Sequence, residues 1–215
     1  MKTSRSKSSL NVAIVDYGMG NIGSVAKVLS RLNVTFCVSS SSKDLEAADR
    51  LILPGVGAFD KAMASLSRLK LDTCIRRQVL EFNKPLLGIC LGMQLLSKTS
   101  IEGGNTEGLS LFDAAVLKLQ GGEHFRLPHI GWNALKKEGC CSLTKGLSDG
   151  SFMYFAHDYV VHCNNNKDVI CTTDYGQNFP SIINHGNIFG VQFHPEKSQR
   201  AGSIIMTNFV LGASK

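Results

Sequence analysis

No stretch of this 215-residue chain stays apolar for the roughly 18 residues that a membrane-spanning helix needs. The opening "MKTSRSKSS" has no apolar core of the kind that precedes a secretory cleavage site, so residues 1–9 read as a frayed polar tail and residues 10–215 as one domain. The Lys and Arg behind the net charge of +6 are scattered, and the chain lacks the basic stripe that nucleic acid requires. That charge reads as solubility and as attraction for an anionic substrate or acidic partner. The seven cysteines are odd in number, with no C-x-x-C pair, and adjacent Cys140 and Cys141 are poorly placed for a mutual disulfide. A zinc site and a disulfide framework are therefore not expected, no metal or cofactor is called for, and a reducing cytoplasm is. Internal repeats, linkers and low-complexity segments are likewise missing beyond the tail.

With 43% hydrophobic residues the chain can build one substantial core. In its first half, β-branched runs alternate with helical periodicity: "NVAIV" (11–15), "TFCVS" (35–39), "RLILP" (50–54) and "PLLGIC" (85–90) read as strands. "NIGSVAKVLSRL" (21–32) reads as a helix, with more helix between Phe59 and Phe82. Such alternation implies crossover units and a doubly wound, mostly parallel sheet flanked by helices. The second half changes texture. "AAVLKL", "SFMYFAHDYVV", "DVICTT", "SIIN" and "NIFGVQF" are strand-like runs parted by Gly, Asn and Asp, predicting antiparallel additions and a closing helix near "GSIIMTNFVLG".

The chemistry centres on "NKPLLGICLGMQLL" (83–96). A buried cysteine is commonly a small hydrophobe, and Cys37, Cys74, Cys163 and Cys171 fit that description. Cys90 differs because it stands between Gly88 and Gly92. G-x-C-x-G is the thiol counterpart of the G-x-S-x-G turn, whose glycines let a strand hand over sharply to a helix and lift a nucleophile into a cleft. A helix start there favours the thiolate. "GVQFHPEKS" supplies the base: His194 and Glu196 flank Pro195 at the end of an apolar strand, where a period of two would send both side chains to one side. An oxyanion needs backbone N–H donors, and the candidates are Leu91, just after the nucleophile, and Val56 in the Gly-rich loop "LPGVGAF" (53–59). That loop lacks the Lys-Ser/Thr of a phosphate-binding motif.

"PGVGAF", "GICLGMQ" and "FHPEKS", in this order, resemble the class I, triad-type glutamine amidotransferases over essentially the whole chain after the tail. The resemblance implies a flavodoxin-like α/β domain that attacks the side-chain amide of glutamine, forms a glutamyl thioester and releases ammonia. Cys90 matches the nucleophile, His194 the general acid/base and Glu196 the orienting carboxylate. Gly55, Gly57, Gln94 and Glu102, with the run His157, Asp158 and Tyr159, match the substrate-holding positions. Asp158 departs from the Ser or Thr usual there. "VDYGMGNIGS", "EGLSLF" and "LPHIGWN" are similar to the branch that serves as glutaminase subunit of imidazole glycerol phosphate synthase. That branch implies a (β/α)-barrel cyclase partner in histidine synthesis, faced by Asn21, Trp132, Tyr154 and Lys197. A paralogue feeding a sugar amidotransferase of surface-polysaccharide synthesis, a catalytically silent regulatory module, and a free-standing Cys hydrolase are the competing readings.

Overall fold

The β-branched runs of the first half form strands where their composition predicts them: Asn11–Val15 (β1), Thr35–Ser39 (β2), Arg50–Gly55 (β3) and Leu86–Cys90 (β4). A computed structural model describes residues 10–122 and 125–212, so the tail at 1–9 lies outside the described residues. Between the strands run helices Ile22–Arg31 (α1), Ser42–Ala47 (α2), Phe59–Arg68 (α3) and Leu71–Leu80 (α4). The helical stretch expected over 59–82 is thus two helices, parted at Lys70, whose φ of 56° is left-handed and cannot continue an α-helix.

After β4 comes one short helix, Leu91–Leu95 (α5), then strands Thr99–Ser100 (β5), Thr106–Glu107 (β6), Ala114–Lys118 (β7), His129–Ala134 (β8) and Lys136–Lys137 (β9). Phe152–His157 (β10), Tyr159–Cys163 (β11), Val169–Asp174 (β12), Asn178–His185 (β13), Ile188–Val191 (β14) and helix Gln199–Leu211 (α6) complete the chain. The apolar run "SFMYFAHDYVV" is two strands that turn away from each other at Asp158: β10 pairs with β8, and β11 with β7.

The main sheet has eight strands in the order β2-β1-β3-β4-β14-β13-β12-β9. It is parallel from β2 to β14 and antiparallel beyond. Its first four strands follow the flavodoxin-like order, and in such sheets sites form beyond the carboxyl ends of the strands. Strand alternation decides which helices cover which face. Val12 and Ile14 of β1 join Val25 and Leu29 of α1 and Ile205, Met206 and Phe209 of α6 in one core. Ala13 and Val15 meet Leu45, Leu66, Ile75 and Val79, from α2, α3 and α4, in the other. Full burial of a Leu or Ile contributes roughly 1.5–3 kcal/mol, so the two cores hold β3, β4 and β14 as rigid rails.

Candidate active site

Cys90 is the last residue of β4 and sits at φ 55°, ψ −112°, a backbone conformation that L-residues rarely adopt. The neighbouring glycines make it possible. A Cβ on Gly92 would lie 1.8 Å from the Leu53 carbonyl oxygen, and one on Gly88 would lie 2.6 Å from the Gly92 carbonyl oxygen. The turn therefore packs backbone on backbone against β3. Gly55 has the same duty, for a Cβ there would meet the Gly92 nitrogen at 2.7 Å. Gly55 is not among the residues lining the cavity described below, and the duty visible for it is this packing. The expected helix is only Leu91–Leu95, so its support for a thiolate comes from its first free N–H groups, among them that of Leu91, more than from a long dipole.

His194 and Glu196 meet, by a different route from the one a strand would give. The backbone leaves the extended form at His194 and closes a 3-10 turn over Pro195–Lys197, which folds the carboxylate back onto the ring. His194 Nδ1 lies 2.9 Å from Glu196 Oε1, with both side chains buried. Burial alone would lower the His194 pKa, but hydrogen bonds to Cys90 and Glu196, and their negative charge, raise it to about 10. The turn is stitched to β10: His194 N–H donates to the Tyr154 carbonyl (2.9 Å), Tyr154 N–H to Ser198 Oγ (3.0 Å), and Ser198 O–H to the His194 carbonyl (2.6 Å).

A cavity of about 190 Å³ opens beside the sulfur, lined by Val56, Gly57, Cys90, Leu91, Gln94, Glu102, Pro128, Ala156, His157, Asp158 and Tyr159. It is smaller than the roughly 300 Å³ at which drug-sized sites begin, as suits an amino-acid side chain. Nucleophile and carboxylates lie on one cavity wall or another. Glu102 Oε2 accepts from the Phe59 N–H at 3.1 Å, and burial, with Asp60 and Asp158 nearby, raises its pKa. Asp158 Oδ1 is buried with no protein partner. A larger groove of about 490 Å³, between α2 and α4, includes Cys74 but no His beside it.

The two oxyanion candidates differ in readiness. Leu91 opens α5, and its N–H has no acceptor within the helix. The Val56 N–H is engaged with the Met19 carbonyl at 3.3 Å, so it is not offered to the cavity in this conformation.

Asn21 occupies the first cap position of α1 but makes no side-chain cap bond. Its Nδ2 donates to Glu196 Oε1 at 3.2 Å instead. Trp132 is 46% exposed, and its ring meets Tyr154 edge-on at 6.0 Å. Lys197 Nζ lies 5.4 Å from the Tyr154 ring centre. These residues form one patch around the base-bearing turn, with Ile130 and Phe152 exposed on the same ribbon.

Two buried polar residues beside the site escape sequence reasoning. His129 Nδ1 lies 3.1 Å from His157 Nε2, and His157 Nδ1 lies 3.0 Å from the Tyr159 carbonyl. Gln192 is fully buried, with its Nε2 3.9 Å from Cys90 Sγ. A polar residue inside the predicted apolar run "NIFGVQF" is the one signal that pointed to Gln192, and none pointed to His129. Among the described residues no group of three or more His, Cys, Asp or Glu could hold a metal ion.

The chain matches the glutamine amidotransferase class-I family over residues 13–213. It is 46% identical over 198 residues to imidazole glycerol phosphate synthase subunit HisH of Bacillus mycoides, covering 92% of this chain and 93% of that protein. It is 40% identical over 199 residues to imidazole glycerol phosphate synthase subunit HisH 2 of Methanococcus maripaludis, covering 93% and 98%. A putative GMP synthase protein from Thermoplasma acidophilum superposes with a TM-score of 0.73 at 21% identity, over 95% of this chain and 94% of that one. PurLQS from Thermotoga maritima gives 0.70 at 19%, over 95% and 98%. At those identities the two structures speak for the fold alone. A family match that runs almost end to end, on a sheet with the cysteine turn at the carboxyl end of its central strands, means that this chain belongs to the class-I glutamine amidotransferases.

Proposed function

We propose that this protein is the glutaminase subunit of an imidazole glycerol phosphate synthase, hydrolysing glutamine to glutamate and ammonia for a (β/α)-barrel cyclase partner. The observation that carries the reading is the assembly of a strained Cys90, the His194–Glu196 pair and a small polar cavity at the carboxyl ends of the central strands. The names of the relatives choose the pathway: both HisH proteins described above are subunits of that synthase, which favours histidine synthesis over a polysaccharide role. All seven cysteines are free thiols, as a reducing compartment such as the cytoplasm would keep them. No helix among the described residues is long and apolar enough to cross a membrane.

In the proposed cycle the Cys90 thiolate adds to the glutamine carboxamide carbon, and negative charge develops on oxygen against the Leu91 N–H. His194, an imidazolium paired to Glu196, protonates the departing nitrogen, so the C–N bond breaks and ammonia leaves. A glutamyl thioester remains. His194 then takes a proton from water, whose oxygen attacks the thioester, and collapse of that adduct returns the thiolate and glutamate. Gln94, Glu102, Asp158 and the Tyr159 backbone hold the substrate. The exposed patch of Trp132, Tyr154 and Lys197, with Asn21 behind it, is the surface for the cyclase, whose reaction joins the ammonia to a phosphorylated, ribose-derived intermediate. Ammonia free in neutral water is mostly protonated and no longer nucleophilic, so transfer must be direct.

The test is glutaminase assay of wild type and Cys90→Ser, each co-purified with a cyclase subunit of this synthase and its nucleotide ligand. Wild type should form glutamate and imidazole glycerol phosphate; the serine variant should stay folded and silent, because an alcohol is far less acidic than a thiol. Equal turnover by the two proteins, or failure of the cyclase to bind, overturns the assignment.

A further inference from the structure

The amide groups behind Cys90 are locked in one orientation by a single acceptor. A backbone carbonyl cannot donate, so the Gln94 atom 2.8 Å from the Tyr159 carbonyl must be the nitrogen. The second hydrogen of that nitrogen points to Gln192 at 3.3 Å, which makes the Gln192 atom there an oxygen. The remaining end of Gln192 is therefore NH2, and it faces Cys90 Sγ at 3.9 Å. Gln192 is fully buried and Gln94 is 4% exposed, so water does not compete for these bonds. The carbonyl from which this relay starts also receives His157 Nδ1, which holds it in place from the other side.

We infer that Gln192 is a positioning residue for the nucleophile: its N–H, aimed through Gln94 by the Tyr159 carbonyl, selects the thiolate form of Cys90. The sulfur has one neighbour for each protonation state. The Ala156 carbonyl, 3.9 Å away, can only accept and so suits the S–H form. The Gln192 N–H can only donate and so suits S⁻, to which hydrogen bonds are stronger. The same lock leaves Oε1 as the uncommitted polar atom of Gln94, a residue that lines the cavity. An amide N–H of substrate could be read there. The other titratable groups around the sulfur are His194 after β14, Tyr17 after β1, His157 at the end of β10, and Glu102 and Asp158 across the cavity.

The inference deepens the proposed function, but its test does not depend on glutamine hydrolysis. Carbamidomethylation of Cys90 by iodoacetamide would be followed against pH on the whole protein, with peptide-resolved mass spectrometry separating Cys90 from the other cysteines. Gln192→Glu keeps the acceptor for Gln94 but turns a carboxylate oxygen toward sulfur, and Gln192→Met removes the donor without adding charge. The pH of half-maximal reactivity should rise in both, more in the first, with labelling at neutral pH slowed roughly tenfold or more. A curve of unchanged midpoint, merely scaled in rate, would mean that Gln192 only packs and would overturn the inference. If Gln192→Glu does not fold, as judged by circular dichroism, the methionine variant alone decides by the same criterion. Wild type that labels as inferred yet hydrolyses no glutamine with its partner would instead remove the proposed function and leave Gln192 in its role.

Discussion

Glu196 Oε1 receives two donors at once, His194 Nδ1–H and the Asn21 amide, and this double load gives the carboxylate a direction. In a Glu196→Gln variant the side-chain oxygen should stay where Asn21 donates, and so keep facing His194. The imidazole then retains the tautomer that leaves Nε2 for sulfur. Without Asn21 the new amide is free to turn its NH2 toward the ring and enforce the wrong tautomer, a change that costs roughly 10⁴-fold in turnover in the Ser-His-Asp template. The prediction is a non-additive cycle: Asn21→Ala and Glu196→Gln each cost turnover modestly, and together far more than their product. Partner-stimulated kcat of the four proteins measures it, with His194→Ala as the low reference. An additive cycle would assign Asn21 to the surface alone. None of this is visible in the sequence, where Asn21 only opens a predicted helix and, by resemblance, faces the partner; 175 positions separate it from Glu196.

At the scale of elements, the proposed function puts the timing of the reaction in the loop after β3 and the turn after β14. The Val56 N–H is held by the Met19 carbonyl, so the second oxyanion candidate becomes available only if that peptide turns over. One missing donor costs about 100- to 1,000-fold in turnover, so under the proposed function this peptide alone would keep the isolated subunit slow. Val56→Gly should raise basal glutaminase activity by easing the rotation. Val56→Pro should blunt the partner's stimulation by deleting the N–H. Full stimulation of the proline variant would move the switch elsewhere. The elements themselves were readable to very different degrees. β1, β3 and β4 announce themselves because parallel, doubly buried strands need near-continuous apolar runs, whereas the edge strand β2, "TFCVS", is half exposed and shows through its β-branched and aromatic residues. The ribbon strand β8, "HIGWNA", is hidden because its pattern mixes a buried histidine with exposed Ile130 and Trp132, the reverse of hydrophobic-in. The candidate catalytic residues are legible through their glycine and proline frames. Gln192 and His129 are not, because what explains a buried polar residue is a neighbour from another part of the chain.

For the molecule as a whole, the buried imidazoles shape stability against pH from opposite sides. Burial holds His129 at about 4, and burial reinforced by the neighbouring His129 ring holds His157 at about 3, against the ordinary 6.5. Above 6.5 both are neutral whether folded or not. Below it the unfolded chain takes up protons that the fold refuses, so stability must fall as acid is added, down to the folded values. His194, held up at about 10, has the opposite sign: its contribution is complete below 6.5 and is lost as pH rises through 10. Melting temperature followed by circular dichroism should therefore drop between about pH 6.5 and 4.5. The fall should shrink when His129 and His157 are both replaced by Phe, a change that leaves the Tyr159 carbonyl its bond from Gln94. An unchanged acid slope in the double variant would show that carboxylates, and not this pair, set the acid limit.

The three hydrogen bonds that join Tyr154, His194 and Ser198 make the proposed catalytic base and the outer ribbon one body. Coupling of that kind is reciprocal by thermodynamic necessity. If a docked surface at Trp132 and Tyr154 steadies His194 for glutamine, then glutamine in the cavity must tighten the docked surface by the same factor. Assembly would thus report on the nitrogen supply: the complex would be most cohesive when its amide donor is plentiful, and loosest in starvation.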